Sequence, residues 1–229
     1  MTYEIKIITL GDTGVGKTSI LKRIVDDSFD KNMVSTMGMN PMFLKFEYKL
    51  KKIKIQLNFM DTAGQERFKE IPKLYIRNCH IVLLIYKDEE SFNELKNRWL
   101  KYYKENANIK ESKFIIIANK SDLFGENRKE ITQLGRDFAE ELNNSQFFSC
   151  SAKSKDNIEN LLDCIKTEAK RIVDKKEEKR IGDEEKADRE GKKIQNNSNN
   201  INNSDTKNIK INKKVINNNI NVQMKAGCC

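Results

Sequence analysis

Short apolar runs and longer amphipathic stretches take turns along the first three-quarters of this chain. Ile5-Lys6-Ile7-Ile8-Thr9-Leu10 is a short apolar run ending at glycine, and behind it Ile20, Leu21, Ile24 and Val25 recur at helical spacing. Phe43–Leu50 and Ile53–Phe59 alternate apolar with polar residues, separated by Lys51-Lys52, which predicts an antiparallel hairpin at a sheet edge. Ile81–Tyr86 and Phe114–Ala118 are continuously apolar, as strands buried on both faces are, and Gln146–Cys150 reads as a further strand. Helices are predicted near 17–27, 91–105, 129–143 and 156–175, with Ser91 and Asp156 as N-caps. The alternation predicts an α/β fold: a six-stranded, mostly parallel sheet with one antiparallel edge strand and helices on both faces.

Beyond residue 175 the pattern is lost. Lys175–Glu190 is a mixed-charge run that either prolongs the last helix or frays, and from Asn196 to Asn221 twelve of 26 positions are Asn. Such a segment buries too little apolar surface to form a core. The expected organisation is a folded domain over 1–175 and a flexible, disordered tail over 176–229 that acts as a tether.

The 43 basic and 34 acidic residues leave a net charge of +9, and +6 of it comes from residue 191 onward. No aromatic residue interleaves those lysines, so a nucleic-acid partner is not expected, and a segment drawn to anionic membrane leaflets fits better. Cys79, Cys150 and Cys164 lie in apolar runs without CxxC spacing and read as buried thiols of a reducing compartment. A single histidine, His80, argues against a metal centre of the imidazole type. No signal-like N-terminus and no apolar run near 18 residues occurs, so the protein is expected on the cytosolic side.

Gly11-Asp12-Thr13-Gly14-Val15-Gly16-Lys17-Thr18 fits GxxxxGK[ST] and stands between the first strand and the first helix. Glycines let the backbone wrap a phosphate chain with its N–H groups inward, and the helix adds the positive end of its dipole. Lys17 is placed to reach the outer phosphates, and the Thr18 hydroxyl to hold Mg²⁺. Thr13, Gly14, Val15, Gly16 and Ser19 complete the candidate loop. The alternative, a chance glycine turn, does not account for strand, loop and helix standing in that order.

Asn119-Lys120-Ser121-Asp122 follows the strand Phe114–Ala118, at the end where open α/β sheets bind ligands. A carboxylate at Asp122 can accept from guanine N1–H and N2–H₂, a donor pair that adenine lacks, and the wrong base leaves that charge unpaired. Asn119 can tie this loop to the phosphate loop, and the Lys120 stem can cover the base. Ser151-Ala152-Lys153 can offer a backbone N–H to guanine O6.

With these motifs the chain resembles the Ras superfamily of small GTPases, and within it the Rab family, over roughly residues 3–172. GDTGVGKT, Thr36-Met37-Gly38, the run Asp61–Phe68 (DTAGQERF), NKSD and SAK carry the resemblance, with the terminal cysteines in agreement. It implies a P-loop GTPase fold that binds GTP or GDP with Mg²⁺. Asp61 would hold the metal with Thr18 and Thr36, and the Gly64 N–H would bond the γ-phosphate. Phe29 would close against the guanine edge, and Gln65 would orient the attacking water, with Lys17 and Thr36 completing the catalytic set. An ordinary core phenylalanine is the alternative at Phe29. Two loops, 28–41 and 62–78, would be ordered by GTP and released on hydrolysis. No arginine finger in cis is evident, so turnover should be slow without an activating protein.

The resemblance further implies effectors, an exchange factor, a GTPase-activating protein, a GDP-dissociation inhibitor and a prenylation escort. Cys228-Cys229 is not a CaaX box and resembles the doubly geranylgeranylated Rab end. Two lipid chains would hold the protein on the cytosolic face of an endomembrane or the plasma membrane, with a soluble pool. The chain departs from the Rab pattern at Asn40-Pro41, Met60 and Thr13, and Pro72 is positioned to break a helix in the second loop. The stretch Ile85–Phe92 is about two residues shorter than usual for the family. A Ras- or Rho-type signalling GTPase would end in CaaX, and a non-hydrolysing scaffold would lack Thr36 or Gln65.

Overall fold

The structure, a computed structural model, describes residues 1–32, 39–62, 76–107, 112–143 and 145–184. It divides into a unit over Met1–Asp174 and a second over Lys175–Cys229. The first is an α/β domain. β1 (Thr2–Leu10) leads through the glycine loop into α1 (Lys17–Asp26), and β2 (Met39–Tyr48) and β3 (Ile53–Thr62) form a hairpin. β4 (Ile81–Tyr86), helix α2 over 89–106, β5 (Lys113–Ala118), α3 (Arg128–Glu141), β6 (Gln146–Ser149) and α4 over 158–174 complete it.

The sheet has six strands in the order β2-β3-β1-β4-β5-β6, every pair parallel except β2–β3. The expected fold class is the one observed. The hairpin strands are shifted from the expected bounds. β3 runs on to Thr62, and β2 stops at Tyr48, Leu50 falling in the 3₁₀ turn Lys49–Lys51. β2 begins four residues earlier, at Met39, with Pro41 opposite Met60. Proline is tolerated there because β2 is the sheet edge and nothing needs its missing N–H. The sheet separates two cores. Ile5, Ile7, Leu57 and Phe59 pack with residues of α1 and α4 on one face, and Ile8, Val82, Leu84 and Ile116 with residues of α2 and α3 on the other. A one-residue slip of β1 would exchange these faces, which is why its near-continuous apolar run fixes so little of the register by itself.

Two expected caps are corrected. Asp88, not Ser91, caps α2: its Oδ1 accepts from the Ser91 N–H at 2.9 Å, and Ser91 Oγ accepts from the Asp88 N–H at 3.1 Å. Ser91 is the third residue of a capping box and stands inside the helix. Asp156 does not cap α4, which begins at 158, because its Oδ2 accepts from Ser121 Oγ at 3.0 Å. Within α2 a π-helical turn occupies Leu95–Leu100. Trp99 and Leu100, both within it, are buried in the core. Cys79, Cys150 and Cys164 form no disulfide, and burial pushes their thiols up to about 11, 12 and 11.

In the second unit, residues 175–184 are helical, with Arg180 paired to Glu177 and Glu184 at 3.1 and 3.0 Å.

Candidate nucleotide site

The site lies at the C-terminal ends of β1, β3, β5 and β6, where the sheet order reverses around β1. At its first end the chain turns between Leu10 and Lys17. Gly16 closes that turn at φ 93°, and a Cβ there would stand 2.4 Å from Asn119 Nδ2, so both conformation and space require glycine. No side chain caps α1 and its first turn holds no acid, which leaves the positive helix end to an anion.

Lys17, only 5% exposed, donates from Nζ to the carbonyls of Gly11 and Asp12 at 2.9 Å each. Burial lowers its pKa from 10.5 to about 8, against the attraction of Asp61 and Asp12. A buried ammonium resting on two neutral carbonyls gains more from phosphate oxygens than from its present partners.

Thr18 Oγ1 donates to Asp61 Oδ2 at 2.5 Å. Burial raises the Asp61 carboxyl above its ordinary pKa despite Thr18, Lys17 and Lys22. Its Oδ1 is buried and has no hydrogen-bond partner among the described residues. A buried carboxylate oxygen without a donor beside a threonine hydroxyl is a donor set that suits a hard divalent cation such as Mg²⁺.

At the other end β5 delivers Asn119, whose N–H donates to Tyr86 O at 2.8 Å. Its Nδ2 donates to Val15 O at 2.8 Å, and its Oδ1 accepts from the Ala152 N–H at 3.2 Å. One amide side chain thus joins three loops. Asp122 Oδ1 accepts from Ser151 Oγ at 2.6 Å, and Lys153 Nζ lies 3.6 Å from its Oδ2. Lys120 adopts φ 65°, and burial together with Lys87 lowers its pKa. The arrangement can bind a polyanion at one end and a planar donor edge at the other.

Thr13, Gly14, Val15, Gly16, Lys17, Thr18, Ser19 and Asp61 therefore gather at the first end, and Asn119, Lys120, Asp122, Ser151, Ala152 and Lys153 at the second. Phe29 packs half-buried against the core, with the Arg23 guanidinium 6.0 Å from its ring centre. Thr36, Gly64, Gln65, Pro72, Cys228 and Cys229 lie outside the described residues. Sequence reasoning overlooked Arg23, whose Nε donates to Ala152 O at 3.0 Å and ties α1 to the second end. It also overlooked Arg128, which donates to Ser121 O at 2.8 Å. Both are surface-type residues in amphipathic helices, and only the tertiary contact distinguishes them from solvated charges.

Residues 6–171 match the model of the Ras family. The chain is 38% identical over 170 residues to the Ras-related protein RABE1d of Arabidopsis thaliana, covering 73% of this chain and 76% of that one. It is 35% identical over 159 residues to the GTP-binding protein ypt1 of Schizosaccharomyces pombe, covering 69% and 75%. With the Ras-related protein SEC4 of Saccharomyces cerevisiae it shares 38% over 155 residues, covering 67% and 69%.

Proposed function

The chain belongs to the Ras family of small GTPases, on its Rab branch, a GTP-binding and GTP-hydrolysing switch in vesicle traffic, and we propose how its own residues carry that work. Lys17 holds the outer phosphates against the α1 N-terminus. Thr18, Asp61 and Thr36 hold Mg²⁺, which supplies charge neutralisation on the phosphate oxygens. Gln65 orients a water that attacks the γ-phosphorus, and the bond to the β,γ-bridging oxygen breaks to leave GDP and phosphate. The Gly64 N–H supports the γ-phosphate, and Phe29 borders the base. Asp122 takes the guanine N1–H and N2–H₂.

The observation that carries this reading is the Asn119 side chain, which links Val15 of the phosphate loop to Ala152 beside Asp122. It makes the two ends one rigid receptor of the kind a nucleotide spans. Ser151 holds the Asp122 carboxylate before any base arrives, so little ordering remains for binding.

The domain comprises 1–175, and 176–229 is the tether, geranylgeranylated at Cys228 and Cys229 and held on the cytosolic face of a membrane. Effectors, an exchange factor, an activating protein, a GDP-dissociation inhibitor and a prenylation escort act on it, and unassisted turnover is slow.

Nucleotide competition tests the reading. GTP and GDP should displace a fluorescent guanine nucleotide at least 10³-fold better than ATP, given the cost of leaving the Asp122 carboxylate without the base's donor pair. Asp122→Asn should transfer the preference to xanthine nucleotides. Equal displacement by ATP would refute the assignment of Asp122.

A further inference from the structure

The turn between β2 and β3 is unlike a solvated loop. Lys49–Lys51 form a 3₁₀ turn that Lys52 closes at φ 52°, its N–H donating to Lys49 O at 3.2 Å. Glycine or asparagine takes that left-handed conformation at least cost, and here a lysine occupies it. Between these lysines Leu50 is 89% exposed, the most exposed large hydrophobic among the described residues. Over 45–54 the hairpin carries five lysines, at 45, 49, 51, 52 and 54, against the single acid Glu47.

The tip is also braced. Lys51 Nζ pairs with Asp174 Oδ1 at 2.7 Å, and Tyr48 donates to Asp174 Oδ2 at 3.3 Å. Lys170 and Lys166 of α4 lie 5.6 and 5.9 Å over the rings of Tyr48 and Phe46, adding cations to the same corner. Asp174, which holds the tip, is the last residue of the domain unit.

We propose that the β2–β3 tip docks on an anionic lipid bilayer, Leu50 entering the headgroup layer while Lys49, Lys52 and Lys54 lie over lipid phosphates. An exposed leucine flanked by exposed lysines matches that surface in both its apolar and its charged layer. Stacked α4 lysines and the Asp174 clamp keep the tip pointed, so little order is lost on contact. The basic tail can concentrate the chain at the same membrane but cannot orient the domain, whereas a braced tip can. This contact does not depend on lipid at Cys228 or Cys229.

The test uses the full-length chain without lipid groups, its tail unchanged, sedimented with vesicles with and without phosphatidylserine. Wild type should partition onto the phosphatidylserine vesicles in a salt-sensitive way. Lys49→Glu with Lys52→Glu should lower that partitioning at least tenfold, from about fivefold per lysine at an anionic surface. Leu50→Asp should lower it by roughly tenfold as well. Lys104→Glu with Lys129→Glu, exposed and carrying the same change of charge, should cost far less. Unchanged guanine nucleotide binding in every variant shows that the domain is folded. In a second measurement, Leu50→Trp should be quenched by brominated lipids, since the native Trp99 is buried. Wild-type partitioning by the hairpin variants, an equal loss in the charge control, or no quenching would overturn the proposal.

Discussion

Lys17 couples burial to protonation. With its pKa lowered to about 8 from 10.5, the unfolded chain holds a proton between those values that the folded, nucleotide-free protein has released. Stability therefore rises with pH across that window. Below about 8 both states are protonated and the burial penalty is fully present. Comparing nucleotide-free protein with Lys17→Met isolates this group from the tyrosines and thiols that also titrate there. The wild type should gain up to about 1.4 kcal/mol per pH unit relative to the variant. Phosphates restore the charged form, so saturating GDP should flatten the difference. Denaturant unfolding at pH 8, 9 and 10 measures it, and parallel slopes for the two proteins would assign the effect elsewhere.

Among the elements, α3 holds a position where a general rule reverses. Glycine in a helix interior normally costs about 1 kcal/mol against alanine. At Gly135 a Cβ would stand 2.2 Å from Phe147 Cε2 and 2.4 Å from Tyr86 Oη. The Tyr86 hydroxyl reaches into α3 itself, donating to Ile131 O at 2.6 Å, and burial pushes its pKa well up. Gly135→Ala should therefore destabilise by about 1–3 kcal/mol, the range for overpacking, despite its better helix propensity. A raised Tm would show that Tyr86 and Phe147 shift at no cost. The helices themselves were legible from periodicity because α1 and α3 each present one apolar face. The α2 cap was not, since Asp88 and Ser91 are equally good capping types and only the bonds of the folded structure say which one stands outside the helix.

For the whole molecule, the proposed membrane attachment rests on charge and on lipid. No described helix is long and apolar enough to cross a membrane. A net +6 spread over the residues from 191 onward attracts anionic leaflets only weakly and is screened by salt. If lipid on both terminal cysteines provides stable residence, Cys228→Ser with Cys229→Ser should move the protein into the soluble fraction with nucleotide affinity unchanged. A single replacement should give partial attachment, because one chain holds marginally. Cell fractionation followed by a salt wash reads this, and retention of the double variant would point to a protein tether instead.

What could be read from residues alone was whatever depends on short spans of chain. A phosphate loop is eight consecutive residues, and the carboxylate proposed to read guanine sits three positions after its asparagine. Buried strands announce themselves by unbroken apolar runs. These features work through backbone geometry and local chemistry, and neither requires knowing what lies across the sheet. Long-range packing decided the rest. It chose which face of β1 meets α1, placed Asn119 between Val15 and Ala152, and set Arg23 on the Ala152 carbonyl. It put Asp156 against Ser121 in place of a helix end, and turned the Lys49–Lys52 tip into a braced corner beside Asp174. Each of these joins residues far apart in the chain, and charge or amide groups of the same type are spread along the whole sequence. Their pairing is selected by which contacts the two cores bring within hydrogen-bond reach, a property of the folded molecule that no local pattern carries.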